Sequence, residues 1–273
     1  ARIVVRISRV WQARCRAVGG RAGLTAGQLV RKALAQESEG GFLAAVALAG
    51  EVLNIHGTVL PSSLSSARLV ALFDDGSRIV GESKIGAAGR PVDRVSLEPG
   101  DLEAAPGAID AIRDADVVVL GPGSLFTSVV PNLLVPEIRQ ALQSTGAFRL
   151  LLVNAMTEQG ETNAFGAVEH LLAVRRHLGF EGIDAALLAA DRIPPQTLDR
   201  YRSEGAHPVD AASEDIDSRV PLVFRRDLLE WTPKVRHEPR KTATAILEAY
   251  ERWLAHGRPR AGHHQVAGEG GRS

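Results

Sequence analysis

The sequence is short of the features that mark several protein classes. It has a single cysteine, Cys15, so no internal disulfide framework is available, and a reducing, cytoplasmic setting is expected. No apolar run reaches the about 18 residues that would cross a bilayer, so no membrane association is expected. The first residues, Ala1-Arg-Ile-Val-Val-Arg6, are broken by arginine too often for a signal peptide. Charge of one sign is not in excess: 32 Lys and Arg balance 32 Asp and Glu over 273 residues. That argues against a dedicated nucleic-acid binder, which usually carries a basic surplus. Neither a Walker A lysine motif nor a Gly-x-Ser-x-Gly elbow occurs. His56, His170 and His177 lack metal-ligand spacing and cysteine company, so no metal site is expected. His170 reads as a satisfied histidine on a helix.

What remains is enough apolar residue, 45% of the chain, to bury a large core. Residues 1–36 carry Arg2, Arg6, Arg9, Arg14, Arg16, Arg21, Arg31 and Lys32 and no acid. A block of one sign confined to no face is expected to hold little structure. Residues 37–255 form the folded domain. Within it, 41–53 reads as a helix and 53–98 as a β-rich insertion. There, Arg68–Phe73 and Arg78–Glu82 flank Asp74-Asp-Gly-Ser77, where glycine supplies the positive φ of a hairpin turn. Arg94–Glu98 is a third strand. After residue 107 the pattern alternates. Helices are expected at 108–115, 136–144, 164–177, 195–204 and 240–254, and strands at 117–120, 148–154, 183–189 and 222–224. This predicts a Rossmann-like α/β fold, a parallel sheet with helices on both faces. The Gly-, Arg- and His-rich tail, 256–273, is expected to be disordered.

Ligands of such sheets sit at the carboxyl ends of the strands, and two loops there stand out. The first is Gly121-Pro-Gly-Ser124-Leu-Phe-Thr127-Ser128. Its glycines allow close backbone approach, and its N–H groups and hydroxyls suit an anion such as phosphate. A plain tight turn with helix caps is the competing explanation. The second is Asn154-Ala-Met-Thr157-Glu158-Gln-Gly160-Glu161-Thr162-Asn163. Asn154 and Thr157 suit a base or sugar hydroxyl, and Glu158 and Glu161 suit hydroxyls or a cation. A capped helix start with solvated glutamates explains it equally well.

These stretches resemble the gluconeogenesis-factor (YvcK) branch of the CofD/YvcK superfamily. The likeness runs through Val52–Pro61, Gly81-Glu-Ser83, Leu120–Ser128 with Pro131–Val135, Val153–Thr157 with Gly160–Thr162, Glu204–Val209 and Val235–His237. It spans about residues 40–250. The resemblance implies a nucleotide-sugar ligand of the UDP-N-acetylglucosamine type. It also implies a regulatory role joining carbon supply to cell-wall synthesis and cell shape, more in keeping with a non-enzymatic protein. Cell-wall enzymes and a second copy of the chain are the protein partners it suggests. The sister branch implies an alternative: a 2-phospho-L-lactate transferase acting on the deazaflavin Fo, which alone would call for Mg²⁺. By position the resemblance assigns ligand contact to Gly121, Gly123, Ser124, Thr127, Ser128, Asn132, Asn154, Thr157, Glu161, Tyr201 and Arg236. No catalytic residue is assigned. The tyrosine ring would stack on a base and the arginine fork would hold a diphosphate.

The resemblance fades at the start. The family's opening Gly-Gly-Gly-Thr-Gly loop, its Asp-Asp-Gly-Gly-Ser-Ser-Gly stretch and its Gly-His-Ser-Leu-Gly-Asn-Leu helix start have no counterpart, and agreement sets in near Glu39. An acid-free Arg- and Ala-rich stretch joined to a good match reads as a misplaced start or a shifted reading frame. That reading predicts a sheet lacking its first strand, with an open edge.

Overall fold

The computed structural model describes residues 3–5, 43, 46, 56–231 and 234–258. Among the described residues, five parallel strands form the central sheet. They are β1 (Ile3–Val5), β5 (Val117–Leu120), β6 (Phe148–Leu152), β7 (Ala185–Ala189) and β8 (Leu222–Arg226), and they lie side by side in that order. Val117–Leu120 and Phe148–Leu152 are buried along their whole length, as strands covered on both faces must be. Alternate residues serve opposite faces. Val118, Leu120, Leu151, Ala186 and Leu188 point into one core, and Val117, Val119, Leu150, Leu152 and Leu187 into the other.

The first core is closed by α2 (Ala108–Arg113), α4 (Pro136–Ser144) and α5 (Ala167–Leu178), which contribute Ile112, Ile138, Leu171 and Val174. The second is closed by α7 (Pro239–Ala255) through Ala245, Ile246, Ala249 and Trp253. Helices therefore cover both faces, as the alternating pattern implied. Glu238 starts α7 by accepting the N–H groups of Arg240 and Lys241, and Pro239 occupies a first-turn position where no N–H is needed. At the amino ends of β6 and β7, Asp184 accepts the backbone N–H and two guanidinium bonds of Arg149. Both groups are buried, and each satisfies the other.

The insertion is a separate antiparallel sheet of β2 (Arg68–Leu72), β3 (Arg78–Val80) and β4 (Arg94–Glu98), with β2 in the middle and α1 (Glu82–Ala87) joining the last two. Its hairpin turns at Gly76, φ 76°, and Asp75 accepts the N–H of Ser77. Hydrogen bonds and an ion pair fasten the insertion to the body. Val95 N–H donates to His177 Nε2 at 3.0 Å, Asp93 pairs with Arg176, and Val92 N–H donates to the carbonyl of Glu161 at 3.2 Å.

One expectation is corrected. Ile3–Val5 does form a strand, parallel to β5 in the register Ile3↔Val117 to Val5↔Val119. The sheet has the strand that the acid-free start was expected to cost it. The short β-branched run between Arg2 and Arg6 suffices, because β5 offers it a complete set of hydrogen-bonding groups. Of the helix expected over 41–53, Leu43 and Val46 are helical and the rest lies outside the described residues, as does the tail from 259 onward.

Candidate functional site

The first loop leaves β5 through Gly121, whose φ is 103°. A Cβ there would stand 2.7 Å from the carbonyl oxygen of Leu152, so the position requires glycine. Asn154, just past the end of β6, then clamps the turn. Its Nδ2 donates to the Gly123 carbonyl at 2.8 Å and its Oδ1 accepts the Gly123 N–H at 3.4 Å. Beyond Ser124 the chain winds as a π-helix, Leu125–Val129, which runs into α3 (Val130–Leu133). Pro131 lacks the N–H that would close an α-turn on Thr127, and the wider winding precedes it.

The carboxylate of Glu161 reaches into this turn from the second loop. It accepts the N–H of Phe126 at 3.1 Å, the N–H of Thr127 at 3.3 Å and the Thr127 hydroxyl at 2.7 Å. Glu161 is only 6% exposed. Burial pushes its carboxyl above the ordinary range, against the opposing pull of the Thr127 hydroxyl. Two of the amides expected to cradle a ligand are thus occupied by the protein's own anion. What stays free in the first loop is narrower. The N–H groups of Ser124 and Leu125 and the hydroxyls of Ser124 and Ser128 have no hydrogen-bond partner among the described residues. They lie at the carboxyl end of β5, and donors of this kind suit an anion.

Other residues of the resembling stretches are bonded or packed within the protein. Asn132 donates to the carbonyls of Ser128 and Val129, each at 3.0 Å, and accepts the Ser62 hydroxyl. Buried Thr157 exchanges bonds with His207, accepting its N–H through the hydroxyl at 2.9 Å and donating its own N–H at 2.7 Å. Half-buried Tyr201 packs against the second core and accepts the N–H of Val235 through its hydroxyl at 2.9 Å. Gly160, φ 86°, lies against the backbone of Gly86 in the insertion, with no room for a Cβ. Arg236 differs from these. It is exposed on β10 (Arg236–His237), which pairs with β9 (Leu229–Glu230), and it has no ion pair among the described residues.

Sequence reasoning did not single out the rim farther along the sheet. A cavity of about 570 Å³ opens there, lined by Ala155, Ala190, Asp191, Asp210, Arg225 and Leu229 among others. A neighbouring one of about 460 Å³ runs under Ile193, Pro194 and Leu198, the last on α6 (Pro195–Ser203). No residue of Gly121–Ser128 lines either cavity. The signal was present as the alanine-rich ends of β7 and of the 208–212 segment, but small residues carry no chemistry that a motif search detects. His170 also departs from the satisfied histidine expected. It is 1% exposed, its Nδ1 meets the Gly166 carbonyl at 2.7 Å, and its Nε2 has no partner among the described residues.

A family model described as 2-phospho-L-lactate transferase CofD matches residues 6–229. The chain belongs to the CofD/UPF0052 family. The match starts far ahead of Glu39, so the family pattern reaches further toward the amino end than the motifs suggested. The gluconeogenesis factor of Bacillus subtilis is 36% identical over 227 residues, covering 83% of this chain and 71% of that protein. A homologue in Nostoc sp. is 36% identical over 247 residues, covering 89% of this chain. The chain spans 54% of that homologue's length. A crystal structure of a UPF0052 family member from Bacillus halodurans superposes with a TM-score of 0.80 at 34% identity. It covers 87% of this chain and 76% of that one.

Proposed function

We propose that this CofD/UPF0052 domain binds a nucleotide sugar of the UDP-N-acetylglucosamine type and serves as a regulator of carbon metabolism, cell-wall synthesis and cell shape. The observation that carries the reading is the set of four donors at Ser124, Leu125 and Ser128 that have no partner among the described residues, held at the carboxyl edge of a parallel sheet. Arg236, exposed and unpaired among the described residues, adds a fork that suits a diphosphate. The names of the B. subtilis and other relatives support the metabolic side of the reading. Ligand binding would act by favouring the state that binds it better.

The test is thermal unfolding of the whole chain with UDP-N-acetylglucosamine. Ligand at a hundred times its Kd stabilises by about 2.7 kcal/mol. For a chain of this size that raises Tm by about 5–10 °C. Arg236→Ala removes a charge-assisted bond and weakens binding by about tenfold or more. No shift at millimolar ligand contradicts the reading. The matched family model favours a second one, transfer of a phospholactyl group to a deazaflavin with Mg²⁺. Among the described residues, no three His, Cys, Asp or Glu side chains gather as a metal site. Turnover of a nucleotide-activated lactate with Fo would establish that reading in place of the first.

A further inference from the structure

Resting on the nucleotide-sugar reading, we infer that the cavity at the ends of β6, β7 and β8 receives the uncharged, hydroxyl-bearing end of the ligand, with Asp191 and Asp210 as the acceptors that select it. The cavity and the first loop are adjacent. Asn154 is bonded both ways to Gly123, and the next residue, Ala155, lines the cavity. From β5 to β7 is two strand spacings, about 10 Å. A ligand with an anionic centre and a neutral ring can span that distance.

The lining chemistry divides the ligand between the two places. Asp191 accepts the N–H groups of Leu228 at 2.6 Å and Leu229 at 3.0 Å, and Asp210 accepts that of Ala212 at 2.8 Å. A carboxylate has about four acceptor positions, so each keeps some for hydroxyls. Two carboxylates at a cavity mouth repel phosphate. Arg225, the cation in the wall, is tied down. Its fork holds the carbonyls of Ala211 and Ser213 and pairs with Asp217, fixing the 211–217 segment. The rest of the wall is small and apolar, Ala155, Ala189, Ala190 and Leu229 among it, which accommodates the flat face of a ring. Anion donors at the β5 end and hydroxyl acceptors at the β7 and β8 ends give the rim a polarity matching such a ligand's.

Two variants of the full chain, assayed by calorimetry with two probes, test this. Ala190→Leu fills an exposed part of the wall, and Asp210→Asn keeps the side-chain shape while removing the charge. The inference predicts that Ala190→Leu weakens UDP-N-acetylglucosamine at least thirtyfold and Asp210→Asn about three- to tenfold. Both variants should bind inorganic pyrophosphate as the unaltered protein does, and matching circular dichroism and Tm exclude misfolding. If the unaltered protein binds UDP-N-acetylglucosamine and neither variant weakens it, the cavity assignment is wrong and the nucleotide-sugar reading stands. A parallel loss of pyrophosphate binding also overturns the division. If the unaltered protein binds neither probe, the nucleotide-sugar reading falls and takes this inference with it.

Discussion

The two rim loops differ in how they use their polar groups. The Asn154–Asn163 loop has the denser set of polar side chains, yet its best-placed members turn inward. Glu161 holds the turn after β5, Thr157 holds the 206–209 segment, and Asn163 accepts the N–H of Gly160. The Gly121–Ser128 loop is chemically sparser, and among the described residues it keeps four donors without partners while Glu161 satisfies two of its amides. One loop braces the other. A polar residue at the end of a strand is therefore poor evidence of ligand contact until its partners are known.

The contrast can be broken most forcefully at its glycines. Gly121→Ala places a Cβ against the Leu152 carbonyl at a positive φ, and Gly160→Ala does the same against Gly86. Each is expected to cost about 3 kcal/mol or more in urea unfolding, through backbone strain and displacement of a neighbouring chain. A loss under about 1 kcal/mol at either would show that the loops are not pinned to their neighbours as described.

A smaller effect sharpens the builder role of Glu161. Glu161→Ala strands the amides of Phe126 and Thr127 and should cost about 2–6 kcal/mol, at about 1–3 kcal/mol for each unsatisfied donor. Glu161→Gln keeps an acceptor oxygen and should recover much of that loss. If Glu161 contacted ligand instead, both variants would lose affinity with little change in stability.

The smallest expected effect concerns acid. Burial holds His170 and His177 below the ordinary histidine range. The folded protein then binds fewer protons at these sites than the unfolded chain. Their contribution is complete above about pH 6.5 and declines as pH falls below that value. His177 gives the decline a structural readout. Its Nδ1 faces the Ala173 carbonyl at 2.6 Å while its Nε2 accepts from Val95, so protonation removes the acceptor that fastens the insertion. Asp93, Arg94 and Arg176 are the charged groups around it. Glu161, with its carboxyl raised, works the opposite way at lower pH, because protonation relieves its burial cost. Protection of Val95 against hydrogen exchange, corrected for the intrinsic pH dependence of amide exchange, should fall as pH drops below about 6.5, ahead of protection in β5. Protection at Val95 that tracks β5 throughout would dismiss the latch.

Much of the fold was legible because burial leaves regular marks. Val117–Leu120 could be read as a covered strand from its branched apolar run, and Asp75-Gly76 as a turn from glycine's positive φ. The strand at Ile3–Val5 was not legible. Three residues inside an arginine-rich block gain their structure from β5 and carry no period of their own. The π-helix was missed for a similar reason, since its winding depends on Pro131 and on an acceptor 34 to 35 residues away. At the candidate site, the demand for glycine at Gly121 was legible from local geometry. The inward role of Glu161 and the rim cavity were not, because both arise only when distant segments meet.

The amides after β5 are the deciding groups. Backbone NMR of the isotope-labelled chain, titrated with UDP-N-acetylglucosamine, resolves them individually. The prediction is large shifts at Ser124 and Leu125, with Phe126 and Thr127 moving little because Glu161 keeps them. Shifts confined to Phe126 and Thr127, or none at all along 121–128 when ligand is bound, would contradict it.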